Sequence, residues 1–327
     1  MVKVVRCYEY GGPEVLQIDE VALRAPGPGE IRVRLSACAV NFPDLLSCEG
    51  KYQDKPDFPF SPGMEAVGEI VDCGAGVTKF QTGDRVMLWC GPYYDGYAEE
   101  VTLPAERAYA ASAAMTDVEA AGFMLVYGTA WHGLVDCGNL KAGETVAIQG
   151  ASGGVGIAAV QLAKALGATV IASAGSDEKL DIVTTQGADH VINYNYEDIR
   201  RRLKELTADD GLDVAFDTVG GDAFRASLSA IAPEGRILIA GFTSGDYAKV
   251  PINIILVKGA SLIPVRFGRF SVVYPERTRE NHNRLLELYE VGKLKPYVGR
   301  TYPLDRAVDA LNALQNREVT GKIILTV

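Results

Sequence analysis

The stretch Thr145-Val-Ala-Ile-Gln-Gly-Ala-Ser-Gly-Gly-Val-Gly156, running on into IAAVQLAKALGA (157–168), decides the fold. An apolar strand feeds a glycine turn, and the turn opens a helix. Ala151-x-Gly153-x-x-Gly156 has the spacing of the dinucleotide-binding fingerprint, with Ala in place of the first Gly. Gly153 lets the backbone approach a pyrophosphate, and Gly156 lets the helix pack on its strand. Ala151, Ser152, Gly153, Gly154, Val155 and Gly156 then cradle the phosphates at a helix N-terminus, where free N–H groups and the dipole favour negative charge. The competing reading is a tight strand-to-helix turn with no ligand. Spacing alone is weak evidence against it; strand, turn, helix and next strand all in register are stronger.

The next strand chooses the cofactor. NAD enzymes place Asp or Glu about 20 residues past the glycines to bind the ribose 2′-OH. Here the strand runs Val170-Ile-Ala-Ser-Ala-Gly-Ser176, with no acid before Asp177. Gly175 and Ser176 leave room for a 2′-phosphate, and Lys179 stands in the first turn of the following helix. Lys179 also has a plainer role, a solvated lysine on a helix face. The absent carboxylate is the firmer half of the argument, and the cofactor expected is NADPH.

Outward from this loop, HVINY (190–194), a helix near 197–206, LDVAFDTVG (212–220), another helix and RILIAGF (236–242) continue the alternation. Strands and helices at this spacing make right-handed βαβ units and a parallel sheet. Residues 1–120 differ: short β runs such as IRVRLSACAV (31–40), AVGEIVDCG (66–74) and DRVML (84–88) are separated by Gly and Pro turns, which predicts a compact barrel or sandwich. After Phe242, ASLIPVRFG (260–268) reads as a strand and 275–294 as an amphipathic helix. Residues 301–327 read as strand, helix and strand, and the final strand is free to return to the N-terminal part.

The chain of 327 residues is longer than one core usually serves, so two domains are expected. A net charge of −10 argues against nucleic acid or an anionic membrane as the main partner. No stretch approaches the length of a membrane span, and MVKVVRCYEYGG has no apolar core of a secretory signal. The six cysteines are scattered, without a C-x-x-C pair, which fits reduced thiols in a cytoplasm.

Loop 145–156, AVQLAKALGATVIA, GADHVINY (187–194), DVAFDTVGG (213–221) and GRILIAGF (235–242) together resemble the medium-chain dehydrogenase/reductase superfamily. Its zinc-independent NADPH:quinone oxidoreductase branch, the zeta-crystallin-like group, also matches YGGPEVLQI (10–18), AVNFPDLL (39–46), GKY (50–52), PGMEAVGEIV (62–71), GDRV (83–86), TAWHGL (129–134) and TGKIIL (320–325). The resemblance implies an α/β protein with a GroES-like β-rich catalytic domain, residues 1–124 with 266–327. A doubly wound Rossmann domain, 125–265, would bind NADPH, with the active site in the cleft between the two. It also implies a homodimer, through pairing of segment 260–267 across a two-fold axis, which would cover an apolar edge strand.

Zinc-dependent relatives carry a Cys three residues before an Asp, and a His before a Glu. The corresponding tracts here read Asn41-Phe-Pro-Asp44 and Gly63-Met64-Glu65, and Asn and Met are poor Zn²⁺ ligands. The four-cysteine lobe of a structural zinc site is missing too, and His132, His190 and His282 lie in no ligand motif. No metal is expected. Without a Lewis acid, electron-poor acceptors such as quinones and conjugated enones suit the protein better than simple alcohols.

By resemblance, Asn41 and Tyr52 line the substrate side and Thr129 sits near the nicotinamide. The Asn41 amide and the Tyr52 hydroxyl would donate to a developing oxyanion. Their plainer roles are a loop-capping Asn and a half-buried barrel Tyr, and Asp44 reads as a structural carboxylate. Lys179 and Tyr194 match positions that bracket the adenosine phosphate, with Arg317 beside them. Gly241, Phe242 and Phe267 match positions near the nicotinamide ribose. The expected activity is NADPH-dependent quinone reduction. An enoyl reductase acting on enones, enals or enoyl thioesters is the rival, and a non-catalytic, crystallin-like NADPH-binding protein is the alternative of another class.

Overall fold

A computed structural model of the chain describes residues 1–91 and 95–327. The N-terminal strands are β1 (Val2–Cys7), β2 (Leu16–Val21), β3 (Glu30–Val40), β4 (Glu65–Cys73), β5 (Arg85–Trp89), β6 (Glu100–Pro104) and β7 (Ala108–Ala110). Helices α1 (Phe42–Cys48), α2 (Asp117–Ala121) and α3 (Met124–Trp131) follow β3 and β7. The alternating strands and helices come next: β8 (Thr145–Gln149), α4 (Gly154–Ala165), β9 (Thr169–Ala174), α5 (Asp177–Thr185), β10 (His190–Asn193), α6 (Ile199–Leu206), β11 (Leu212–Asp217), α7 (Gly221–Ala230) and β12 (Ile231–Ile239). The chain then runs through α8 (Ile252–Lys258), β13 (Ser261–Pro264), α9 (Phe267–Val273), α10 (Pro275–Glu290), β14 (Val298–Pro303), α11 (Ala307–Gln315) and β15 (Lys322–Thr326).

By compactness these elements form two units, Met1–Leu125 with Pro296–Val327, and Val126–Lys295. The first holds a seven-stranded sheet in the order β14-β15-β3-β4-β5-β7, with β6 paired to β3 and a separate β1–β2 ribbon. The returning strand β15 lies antiparallel to β3, Ile324 opposite Ala39. Alternating apolar residues of β3, such as Ile31, Val33 and Leu35, are buried in its core with Ile70, Leu88, Leu103 and Leu325.

The second unit holds six parallel strands in the order β10-β9-β8-β11-β12-β13. Taken in chain order, this is the doubly wound arrangement 3-2-1-4-5-6, and it reverses between β8 and β11. The central strands read Val146-Ala-Ile148 and Val214-Ala-Phe216, all buried, as a sheet covered on both faces requires.

The chain rejoins the first unit at Pro296, later than the expected 266. The apolar run 260–268 is shorter as a strand than its composition suggests. It ends at Pro264, and from Phe267 it is helical. Phe267 fills the space over Gly128, where a Cβ would meet the ring at 2.4 Å, and Phe270 stacks on His132 with centroids 4.1 Å apart. Those contacts, with the Lys295 backbone held by Gln161, keep 266–295 in the second unit.

Candidate active site

The glycine loop after β8 lies at the carboxyl ends of the parallel strands, at the point where their order reverses. Gly150 turns the chain with φ +71°, a backbone region that favours glycine. Gly153 is the N-cap of α4. A Cβ on Gly153 would find only the Gly150 oxygen, 3.6 Å away, so open space lies beside it. A Cβ on Gly156 would sit 2.2 Å from the Gly150 oxygen and 2.6 Å from Ala151 Cα. One glycine therefore leaves room for a ligand, and the other lets the helix pack on the loop. Ala151 is fully buried and its N–H bonds Ser173 O at 3.0 Å, which ties the loop to β9. This shape fits a pyrophosphate at the N-terminus of α4.

At the end of β9, Ser176 caps α5 and its Oγ accepts the Lys179 N–H at 3.3 Å. Lys179 thus lies in the first turn of that helix. Asp177, the first acid of this stretch, is turned toward β10: Asn193 Nδ2 donates to it at 2.7 Å and the Tyr196 hydroxyl at 2.6 Å. Those two hydrogen bonds hold its carboxyl below the usual range. The Tyr194 hydroxyl sits 2.7 Å from where a Gly175 Cβ would be, so Gly175, Ser176 and Tyr194 are gathered in one place.

The loop after β11 supplies a further wall. Asp217 is buried, its Oδ1 accepts the N–H groups of Val219 and Gly220 at 2.8 and 3.0 Å, and burial raises its pKa. Gly241 N–H bonds Asp217 O at 3.2 Å, and Phe242 beside it is exposed, tilted against Tyr247. Phe267, by contrast, is 5% exposed and packed on Gly128.

The first unit contains a buried polar cluster built on Asn41. Lys322 Nζ donates to Asn41 Oδ1 at 2.6 Å, to Val40 O at 3.1 Å and to Glu65 Oε1 at 3.2 Å. Asn41 Nδ2 donates to Glu65 Oε1 at 3.2 Å and Ala39 O at 3.4 Å. The other Glu65 oxygen accepts the Leu125 N–H at 2.7 Å, in the first turn of α3, where a carboxylate suits the helix dipole. Asp44 accepts from Asn41 N–H at 2.8 Å, Gly63 N–H at 2.9 Å and the Tyr97 hydroxyl at 3.0 Å. Burial pushes Asp44 up to about 6, against these donors and the Lys322 charge.

This arrangement alters one expectation. The Asn41 amide, expected to donate outward, is committed inward at both ends, and the side chain is 4% exposed. Tyr52 is half-buried in the loop after α1, its N–H on Leu46 O at 3.1 Å. Thr129 is half-buried on α3, and Arg317 lies exposed after α11 with φ +57°. Thr129, Lys179 and Tyr194 belong to the second unit, whereas Asn41, Tyr52 and Arg317 belong to the first. Lys322 and Glu65 were not singled out from sequence. The available signal was a single lysine opening a run of buried apolar residues, Ile323 to Leu325.

Met64, at the position of the expected zinc-ligating His, is buried with 2% exposure. Among the described residues no three His, Cys, Asp or Glu side chains come together as a metal site. With Asn41 held by Lys322 and a thioether at 64, the donor set does not fit Zn²⁺.

Residues 27–130 match the alcohol dehydrogenase GroES-like domain, and 154–286 match the zinc-binding dehydrogenase family. The chain is 38% identical to a quinone oxidoreductase-like protein 2 homolog of Nematostella vectensis, over 99% of this chain and 88% of that one. It is 35% identical to a quinone oxidoreductase of Pseudomonas aeruginosa over 99% of both chains. The chain belongs to the quinone oxidoreductase branch of the medium-chain dehydrogenase/reductase family. The structure of an Escherichia coli quinone oxidoreductase complexed with NADPH superimposes with a TM-score of 0.92 at 31% identity, over 99% of this chain and 100% of that one. As in other medium-chain dehydrogenases, a GroES-like part is joined to a Rossmann sheet, and here the last strand closes the GroES-like part.

Proposed function

We propose that this protein is an NADPH-dependent reductase of quinones and similar conjugated carbonyls, working without zinc in the cytoplasm as a homodimer. The observation that carries the reading is the end of β9. There Asp177 is held by Asn193 and Tyr196 and Glu178 by Ser176, Tyr194 lies over Gly175, and Lys179 stands in the first turn of α5. The NADPH-bound relative supports the same cofactor.

Residues 151–156 would hold the pyrophosphate at the α4 N-terminus, and Lys179 with Tyr194 would take the adenosine phosphate, the role that resemblance also gives Arg317 of the other unit. Gly241 and Phe242 would flank the nicotinamide ribose, while Phe267 acts through packing on Gly128. When bound, NADPH would supply the hydride. Tyr52 donates a hydrogen bond to the acceptor's oxygen, and Thr129 orients the nicotinamide. Asn41 is assigned a positioning role, fixed between Lys322 and Glu65. A quinone needs little activation beyond this, which suits a site without a Lewis acid. Among the described residues no helix is long and apolar enough to cross a membrane.

The experiment is an acceptor panel, quinones against enones and enoyl thioesters, followed by NADPH oxidation with and without a chelator. Fast turnover of quinones, unchanged by chelator, is expected. Preference for enoyl thioesters would make the protein an enoyl reductase, and no oxidation with any acceptor would make it a binding protein. One tightly held zinc per chain, lost together with activity, would contradict the zinc-free reading.

A further inference from the structure

His132, Asp136 and Cys137 share one turn of the second unit. Helix α3 continues into a wider turn, His132–Cys137, and just past it Gly138 N–H bonds Gly133 O five residues back at 2.7 Å. Such a turn brings both the fourth and the fifth residue onward over the first. His132 therefore faces two partners: Nδ1 lies 3.1 Å from Asp136 Oδ2, and Nε2 lies 3.6 Å from Cys137 Sγ. Asp136 Oδ2 also accepts from Asn281 Nδ2 at 2.9 Å, and Arg277 stands 3.4 Å from its Oδ1.

An acceptor carboxylate at Nδ1 requires the proton there, which leaves Nε2 directed at sulfur. Stacking on Phe270, with ring centroids 4.1 Å apart, fixes the imidazole plane. The sequence of contacts is thiol, imidazole, carboxylate, the order by which a cysteine is activated as a nucleophile. Four of the six cysteines are buried; Cys73 and Cys137 are partly exposed.

We propose that Cys137 is a second reactive centre, a nucleophile toward carbon–carbon double bonds conjugated with a carbonyl, with His132 as proton carrier and Asp136 as the group that orients it. In the reactive form the Sγ proton has already passed to Nε2, and the thiolate sulfur bonds the β-carbon of the acceptor. The displaced π pair is carried to the carbonyl oxygen as an enolate, and Nε2 gives its proton to the α-carbon, which restores the carbonyl and leaves a thioether. No electrons enter or leave, and no co-reactant is needed. The proposal does not depend on the reading of the nucleotide site, since addition needs no cofactor. Burial opposes a charged imidazole, but the hydrogen bonds to Asp136 and Cys137 outweigh it and lift His132 to about 9.

The test is a time course of labelling by N-ethylmaleimide at pH 7, without NADPH, read site by site by peptide mass spectrometry. Cys73 in the same molecule is the reference thiol. Cys137 is expected to label about tenfold faster than Cys73 or more, and His132→Gln and Asp136→Asn to bring it down to the Cys73 rate. Labelling of buried Cys38 and Cys90 reports any loss of fold in a variant; the comparison then rests on the other variant and on the wild-type ratio. The proposal is overturned if wild-type Cys137 labels no faster than Cys73, or if Cys137 keeps its rate in a folded His132 or Asp136 variant.

Discussion

Lys322 and Asn41 are 281 residues apart in the chain, yet their side chains meet at 2.6 Å. The Glu65–Lys322 pair is almost wholly buried, so removing one partner strands a charge. Lys322→Met is expected to cost about 3–5 kcal/mol of unfolding free energy in urea, and Lys322→Met with Glu65→Gln clearly less. A single variant as stable as wild type would mean the pair is not buried as described. A second prediction concerns pH. The folded-state pKa of His132 is raised from 6.5 to about 9, so its contribution to stability is full below pH 6.5 and is lost as pH climbs through 9. Asp136, Cys137 and Arg277 are the charged or titratable groups seen around it. The melting temperature of wild type should fall more steeply than that of His132→Gln between pH 6.5 and 9. Equal slopes would remove His132 as the cause. The family resemblance pointed to Asn41, and the residue types at 41 and 64 to the missing zinc ligands. They could not reveal that Asn41 is turned inward, because its partners come from β4 and β15.

At the scale of elements, the glycine loop separates two jobs that the spacing runs together. Gly156→Ala forces a methyl against the Gly150 oxygen and Ala151 Cα, both backbone atoms that cannot swing away. It should cost about 1–3 kcal/mol in stability. Gly153→Ala meets nothing closer than 3.6 Å, so the melting temperature should hold while NADPH affinity falls about tenfold, near 1.4 kcal/mol. Thermal melts and cofactor titrations on both variants check this; a Gly153→Ala that binds as well as wild type would take the phosphate away from that position. Strand β8 through helix α4 and the acid-free end of β9 were legible in sequence because each is local: a period, a glycine, a missing carboxylate. The stretch 260–268 was not, because a short apolar run reads the same in a strand and in a buried helix turn. Phe267 and Phe270 turn it helical by packing on Gly128 and His132, which no local pattern announces. The wide turn at His132–Cys137 was hidden for the same reason.

At the scale of the molecule, β13 ends the six-stranded sheet with one side unpaired by any described strand. Nearby in sequence, α8 exposes Ile252, Leu256 and Val257, each at 80% or more. A second copy would cover such an edge and such a patch. Sedimentation at micromolar concentration should give a dimer, and Leu256→Glu with Val257→Glu a monomer; a monomeric wild type would refute the assembly. A nucleotide site built for a 2′-phosphate should tell NADPH from NADH. The most direct measurement is the pair of dissociation constants for NADPH and NADH, on wild type and on Lys179→Ala. Gly175→Asp is a poorer probe, because its Cβ would displace Tyr194. Wild type should bind NADPH more tightly, and Lys179→Ala should weaken NADPH about 10- to 150-fold, the value of a hydrogen bond to a charged group, while hardly changing NADH. Equal wild-type affinities, or an equal loss for both cofactors in Lys179→Ala, would contradict the account.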